Sequence, residues 1–184
     1  MLKELKISVI IHLLMQLMKK GISRIGKTAM QKYVYFIQEF GVNLNYRYEM
    51  YYYGPYCFEL SNDLDLLNML GVISIEDSPT TYGYSIKLLD TADKYSDNIG
   101  TEAQDILETY QSGFDKLLEI FGNCSTRQLE LYATMHFVDS ILKKKGKVAD
   151  AESVIREVKF LKPKYSTDEC EAVYQYLSEN FGWR

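Results

Sequence analysis

The chain has 184 residues and a mass of 21.4 kDa, and at 47% apolar residues it carries enough hydrophobic material for a core, which excludes a disordered tail. Its 21 Lys and Arg against 25 Asp and Glu give a formal net charge of -4, so total charge does not mark it as a polyanion binder. Three scattered cysteines with no CxxC pair exclude a disulfide framework and fit a reducing compartment, and the one outlying figure is tyrosine, at 16 residues.

Residues 7 to 18 form the longest apolar run. Broken by His12 and Gln16, it is short of the ~20 residues that cross a bilayer, and Lys19-Lys20-Gly21 follow where a signal peptide would carry a small-residue cleavage site. It reads as a buried helix over residues 5 to 20, stopped by Gly21, and the chain as cytoplasmic with no membrane partner. A second helix is predicted from Thr28 to Phe40, on the spacing of Met30, Tyr33, Val34, Ile37 and Phe40, with Gly41 ending it. Residues 46 to 53 alternate as a strand, with Tyr46, Tyr48, Met50 and Tyr52 on one face, closed by Gly54 and Pro55. A third helix is expected over residues 55 to 70, capped by Gly71, then a hairpin of strands 72–76 and 82–88 turning at Asp77-Ser78-Pro79-Thr80.

Residues 90 to 100 are polar and are the one plausible internal boundary; beyond them the pattern is helical. Thr101 with Gln104, Ser125 with Gln128 and Ser166 with Glu169 each match the capping-box pattern. One helix is expected from Thr101 to Phe121, another through Leu129, Tyr132, Met135 and His136, a shorter one over 150–161 ahead of Pro163, and a last one over 167–180. The expected fold is mainly α (α+β): a winged-helix-like lobe with a small antiparallel sheet (residues 1–95) packed on a helical lobe (96–184), together one compact domain. Charge is uneven along the chain. Residues 1 to 60 hold eight Lys/Arg and four Asp/Glu, the remainder 13 and 21, so the basic end is the N-terminal one.

Three groups of residues invite a function. Gly21 to Thr28 satisfies G-x-x-x-x-G-K-[ST] letter for letter, and Gly21, Gly26, Lys27 and Thr28 would then cradle a phosphate. Such a loop must leave a buried parallel strand, whereas a helix precedes this one, and no downstream strand ends in a Mg²⁺-binding Asp. Lys19, Lys20, Arg24, Lys27 and Lys32 could track nucleic-acid phosphates, and they could equally be solvated helix ends. Six tyrosines between positions 46 and 56 are more than one strand can bury, so some rings are exposed or covered by a partner. Catalytic constellations are thin: His12 and His136 both fall at apolar helical positions, and the cysteines and carboxylates lack metal-ligand spacing. Cys124, just ahead of a helix start, is the one thiol a helix dipole could activate, but His136 is too far along that helix to pair with it.

Lys27 to Phe36, with Gln31-Lys32 inside it, Tyr51-Tyr52-Tyr53-Gly54-Pro55-Tyr56, Leu129 to His136, and Lys162-Pro163-Lys164-Tyr165-Ser166 together resemble the prokaryotic YwgA-like proteins over most of the chain. More remotely, the Gln31-Lys32-x-x-Tyr35 helix is similar to the Panacea-domain (SocA-like) antitoxins. The second resemblance implies neutralisation of a toxin by direct contact; neither implies catalytic residues or a cofactor. The expected function is therefore a non-enzymatic protein-interaction module of antitoxin, adaptor or phage-defence type, its partner a toxin, a defence component or itself. Its surface is expected at Tyr51, Tyr53, Gly54, Pro55 and Tyr56. A winged-helix DNA-binding regulator using residues 55–70 and the hairpin is the alternative, and a small nucleotide-binding protein using Gly21 to Thr28 the third.

Overall fold

The apolar run folds as α1 (Leu2–Lys19), the first element of a computed structural model that describes residues 2–22, 25–77, 83–97 and 100–181. Its buried side chains run from Leu5 through Val9, Ile10, Leu13 and Leu14 to Leu17, so it is a core helix rather than an amphipathic surface one. It ends where Gly21 takes φ +83°, and the N–H groups of Gly21 and Ile22 return to the carbonyls of Met18 and Leu17. Those two hydrogen bonds close the helix end on the carbonyls of its last turn.

Strand β1 (Ile25–Gly26) leads into α2 (Lys27–Glu39), which buries every residue from Ala29 to Ile37. Phe36 stacks on Phe121, with ring centroids 4.1 Å apart, and the Tyr33 hydroxyl donates to the Phe121 carbonyl at 3.3 Å. Two glutamines two turns apart on α2 hold flanking chain: Gln31 exchanges hydrogen bonds with the main-chain N–H and C=O of Cys57, and Gln38 does the same with Tyr46. The short hairpin β2 (Glu49–Tyr51) and β3 (Gly54–Tyr56) comes between those two clamped residues. Helix α3 (Phe58–Met69) follows, then β4 (Ile73–Asp77) and β5 (Tyr84–Leu88), which join β1 in an antiparallel sheet of order β1-β5-β4 with Ile86 opposite both Ile25 and Ile75. Next come α4 (Thr91–Asp97), α5 (Thr101–Thr109) and α6 (Gln111–Phe121), and then α7 (Thr126–Lys144), α8 (Ala151–Leu161) and α9 (Thr167–Phe181).

Two compact units result. One comprises Met1–Glu49 and Tyr56–Asn123; the other comprises Met50–Pro55 and Cys124–Arg184, so it takes the turn of the β2–β3 hairpin into a three-helix assembly. The fold is mostly helical with a small antiparallel sheet, as the sequence predicts.

The elements differ from expectation where pairing is not local. Ile25–Gly26 reads as loop, yet pairs with Ser85 and Ile86 some sixty residues on. The strand expected over 46–53 turns early, at Tyr52-Tyr53, because Gly54 rather than Gly54-Pro55 together supplies the left-handed residue (φ +82°) that closes a tight turn. The third helix accordingly starts at Phe58, not Pro55. The polar stretch 90–100 contains α4. The helix expected over 101–121 breaks at Tyr110, just ahead of the weak helix formers Ser112 and Gly113. Thr101 is not a cap: the extended residue is Gly100, whose N–H goes to Glu4 at 2.9 Å. The other two capping boxes form. Most of the turn expected at 77–80 lies outside the described residues.

Candidate functional site

Helix ends written in the sequence position the site. Ser125 and Gln128 cap α7 reciprocally, Asp150 caps α8 through the Ser153 N–H at 2.8 Å, and Ser166 and Glu169 cap α9. Pro163 disfavours helix at the residue before it, so α8 stops at Leu161 and Lys162 turns out with φ -136°. Glu130 stands in the second turn of α7, its side chain 4% exposed.

These local rules bring Lys162, Lys164 and Glu130 to the turn of the β2–β3 hairpin. The Lys162 ammonium donates to the main-chain carbonyls of Tyr51, at 3.0 Å, and Tyr52, and lies 3.4 Å from the Glu130 carboxylate. Lys164 reaches the other carboxylate oxygen at 2.8 Å and stands near the Tyr53 and Tyr165 rings, 5.7 Å and 5.1 Å from their centroids. The buried Tyr165 donates its hydroxyl to the Arg127 carbonyl at 3.0 Å, and the Arg127 guanidinium lies over its ring while pairing with Glu169. Burial pushes the Lys162 ammonium pKa down against the opposing pull of Glu130, and burial together with Glu130 holds the Tyr165 hydroxyl well above its ordinary range. Gly54 completes the mounting: a Cβ there would stand 2.7 Å from Thr134 Oγ1.

The result is a backbone fixed from beneath with its aromatic side chains outside. Tyr51, Tyr52 and Tyr53 are 48%, 78% and 61% exposed, beside a cleft of about 560 Å³ walled by Leu161, Lys162, Pro163 and Lys164. Gly54 and Pro55 are buried and serve as the mount, while Tyr56 is half-buried edge-on to Phe58. Tyr52, Glu130, Lys162 and Lys164 are absent from the predicted set. Their signal was present in the K-P-K-Y and L-E-L-Y runs, which sequence alone does not connect to the tyrosines.

The other predicted groups are dispersed. Lys19 and Lys20 are exposed at the end of α1, Lys27 pairs with Asp65 at 2.7 Å, Lys32 is buried, and Arg24 lies outside the described residues. Of the G-x-x-x-x-G-K-[ST] residues, Gly21 terminates α1, Gly26 lies in an antiparallel strand opposite Ser85, and Lys27 and Thr28 open α2. Among the described residues no three His, Cys, Asp or Glu side chains group as a metal would need. Burial pushes the thiols of Cys57, Cys124 and Cys170 up, opposite in direction to the lowering that the helix start could give Cys124. His136, buried and against Phe181, is pushed down to about 4.

Among the described residues no helix is long and apolar enough to cross a membrane. No family model matches the chain. Over 159 residues it is 26% identical to the Uncharacterized protein YwgA of Bacillus subtilis (strain 168), a match covering 84% of this chain and 86% of that protein. The likeness in sequence thus extends across both units, and three of the four segments that carry the YwgA-like resemblance meet at the tyrosine turn.

Proposed function

We propose that this protein is a non-enzymatic protein-interaction module, of the antitoxin, adaptor or phage-defence type, and that the tyrosine turn is its contact surface. The observation that carries this reading is the combination of three adjacent exposed tyrosines with a main chain pinned by Lys162, Glu130 and Gly54. Exposed Tyr gives large contact area with a polar tip at little entropic cost, and rigid mounting removes the ordering penalty that a loose loop would pay on binding. The remote similarity of the α2 segment to Panacea-domain antitoxins supports a toxin as partner. The test is co-purification with the products of neighbouring genes, comparing the native chain with Tyr52→Ala/Tyr53→Ala. The double variant should lose the complex while keeping its Tm, and an unchanged complex would overturn the placement.

A winged-helix DNA-binding regulator is the second reading, favoured by the β1-β5-β4 sheet beside α1, α2 and α3, although the β2–β3 hairpin separates α2 from α3. Its reading helix would be α3. That helix contains Glu59, Asp63 and Asp65 and no Lys or Arg, and it exposes Phe58, Leu66 and Met69. Helices that enter a groove need cations against phosphate, and α3 supplies none of its own, its three carboxylates instead engaging Lys3, Lys6 and Lys27. Titration with duplex DNA at low salt decides between the two: steep salt-dependent binding would reinstate the regulator.

A further inference from the structure

Behind the tyrosine turn the second unit carries a second, narrower cleft of about 180 Å³, between the end of α7 and α8. It shares Met50 and Leu161 with the first, so the two clefts adjoin at those side chains and are taken together as one groove. The floor is apolar, built from Met50, Phe137, Ile141 and Leu161. Both ends carry an excess of lysine: Lys162 and Lys164 stand at the tyrosine end, where they share the single Glu130 carboxylate, and Lys145 and Lys147 at the other, with Glu157 the one carboxylate among the lining residues. Lys145 and Lys147 belong to the run Lys143-Lys144-Lys145-Gly146-Lys147. Part of that run complements the negative end of α7, and Lys143 is held by Asp139 at 2.9 Å, whereas Lys145 and Lys147 face the groove.

The location of this charge runs against the chain's overall balance. Counted by unit, segments 50–55 and 124–184 hold ten Lys/Arg against nine Asp/Glu, a net +1, while segments 1–49 and 56–123 hold 11 against 16, a net -5. The basic N-terminal end read from the sequence is therefore not a basic unit. The acidic excess lies within residues 61–123, and of the ten Lys/Arg in the unit that carries the tyrosines, Lys145, Lys147, Lys162 and Lys164 line the groove.

We infer that the groove receives an acidic amphipathic segment of a partner protein, whose apolar side chains fill the floor between Met50 and Leu161 and whose carboxylates meet Lys164 at one end and Lys145 and Lys147 at the other. This rests on the interaction reading of the tyrosine turn and names the partner's chemistry. Charge complementarity argues for carboxylates, and the floor distinguishes the occupant from single-stranded nucleic acid. Bases need ring platforms in series, and here aliphatic side chains predominate between the cationic ends. Tyr51 and Tyr52 then form the rim that closes over the segment, consistent with the polar border typical of such interfaces.

The test uses the full chain and a fluorescein-labelled amphipathic peptide with Glu on its polar face and Leu and Phe on the other, read by anisotropy, against the same peptide with Lys for Glu and a labelled single-stranded oligonucleotide. The acidic peptide should bind, weaken at least tenfold as salt rises, and weaken at least tenfold again with Lys145→Glu/Lys147→Glu; Lys164→Glu should act in the same direction. Binding of the basic peptide or the oligonucleotide in preference, failure of the acidic peptide to bind, or indifference to the Lys145→Glu/Lys147→Glu change would each overturn the inference. Light scattering of the native chain covers the remaining occupant, and a dimer dissolved by Lys145→Glu/Lys147→Glu would overturn the inference in favour of a second copy. The co-purification partner separates this inference from the reading beneath it. A complex lost with Tyr52→Ala/Tyr53→Ala but kept with Lys145→Glu/Lys147→Glu upholds the tyrosine surface and sinks the acidic groove occupant, whereas a complex kept by both variants sinks both.

Discussion

The side-chain amide of Gln31 closes two hydrogen bonds of 2.9 Å on the main chain of Cys57, one donated and one accepted, with both residues about 1% exposed. No β ladder serves Cys57 at that position, so the glutamine does what a neighbouring strand would otherwise do for it. Replacing Gln31 by Leu leaves the buried Cys57 N–H unpaired, while its carbonyl keeps the Ser61 N–H at 3.2 Å, and should cost about 2 kcal/mol. Gln38→Leu takes both partners from the Tyr46 main chain, where the glutamine is half-buried, and should cost about 1 kcal/mol. Urea unfolding of the two variants measures the difference.

Gly54 and Gly71 both have positive φ, at +82° and +67°, but only Gly54 is crowded. A methyl group at Gly71 meets nothing within 4 Å, so Gly71→Ala should cost only the left-handed backbone, about 1 kcal/mol. At Gly54 the methyl would stand 2.7 Å from Thr134 Oγ1 and 3.4 Å from the Glu130 carbonyl, so Gly54→Ala should cost roughly 2–3 kcal/mol. Thermal unfolding should rank the two in that order.

Local structure in this chain was legible, and structure made by distant pairing was not. Gly21, Gly41 and Gly71 stop their helices, and Ser125 and Ser166 start theirs, because those signals involve residues within one turn of each other. The excess of tyrosine pointed to exposed rings, found at Tyr51, Tyr52 and Tyr53, since a two-faced aromatic strand cannot be buried on both sides. Strand β1 was missed because two residues carry no alternation and their partner lies some sixty positions on. The turn at Tyr52-Tyr53 was missed because neither residue is a usual turn former; Gly54 behind them decides it. Nothing in Lys162 or Glu130 announces a partner, as each becomes a site residue only when α7, α8 and the hairpin are assembled.

Lys162→Met keeps the aliphatic stem and removes the donor to two hairpin carbonyls. Amide exchange in residues 50–55 should quicken at least tenfold, equivalent to about 1.4 kcal/mol of local opening, while α2 is unaffected. Hydrogen-exchange mass spectrometry reads both regions in one experiment. Equal change in the two would mean that Lys162 supports the whole fold rather than the turn.

His136 gives the protein an acid-sensitive side. Its imidazole is held down to about 4 by burial first and by Lys143 and Lys144 second, against 6.5 when unfolded. Between those values the unfolded chain takes up a proton that the folded chain refuses, so stability is complete above pH 6.5 and falls as pH drops toward 4, by up to roughly 3 kcal/mol. His136→Phe, which preserves contact with the Phe181 ring, should flatten stability between pH 6.5 and 4.5 in urea titrations.

Lys27, the lysine of the phosphate-loop pattern, is paired with Asp65 in a half-exposed bridge. Lys27→Ala should therefore cost less than about 1 kcal/mol. ATP or GTP with Mg²⁺ should leave the Tm of the native chain unchanged, and a nucleotide-dependent rise abolished by Lys27→Ala would restore the phosphate role.

The unit that carries the tyrosines is assembled from two stretches of chain, with Tyr52 and Lys162 separated by 110 positions. A ribosome delivers the hairpin long before α7 or α8 exists, so its six residues must wait, already anchored at their feet by Gln38 and Gln31, until the C-terminal helices arrive. A chain cut after Asn123 would keep the carbonyls of Tyr51 and Tyr52 but lack Lys162 and Glu130, so the turn would lose the side chains that hold it. Completion of the tyrosine turn is thus tied to completion of the chain: a truncated product, however well its first helices fold, leaves that turn without its mount.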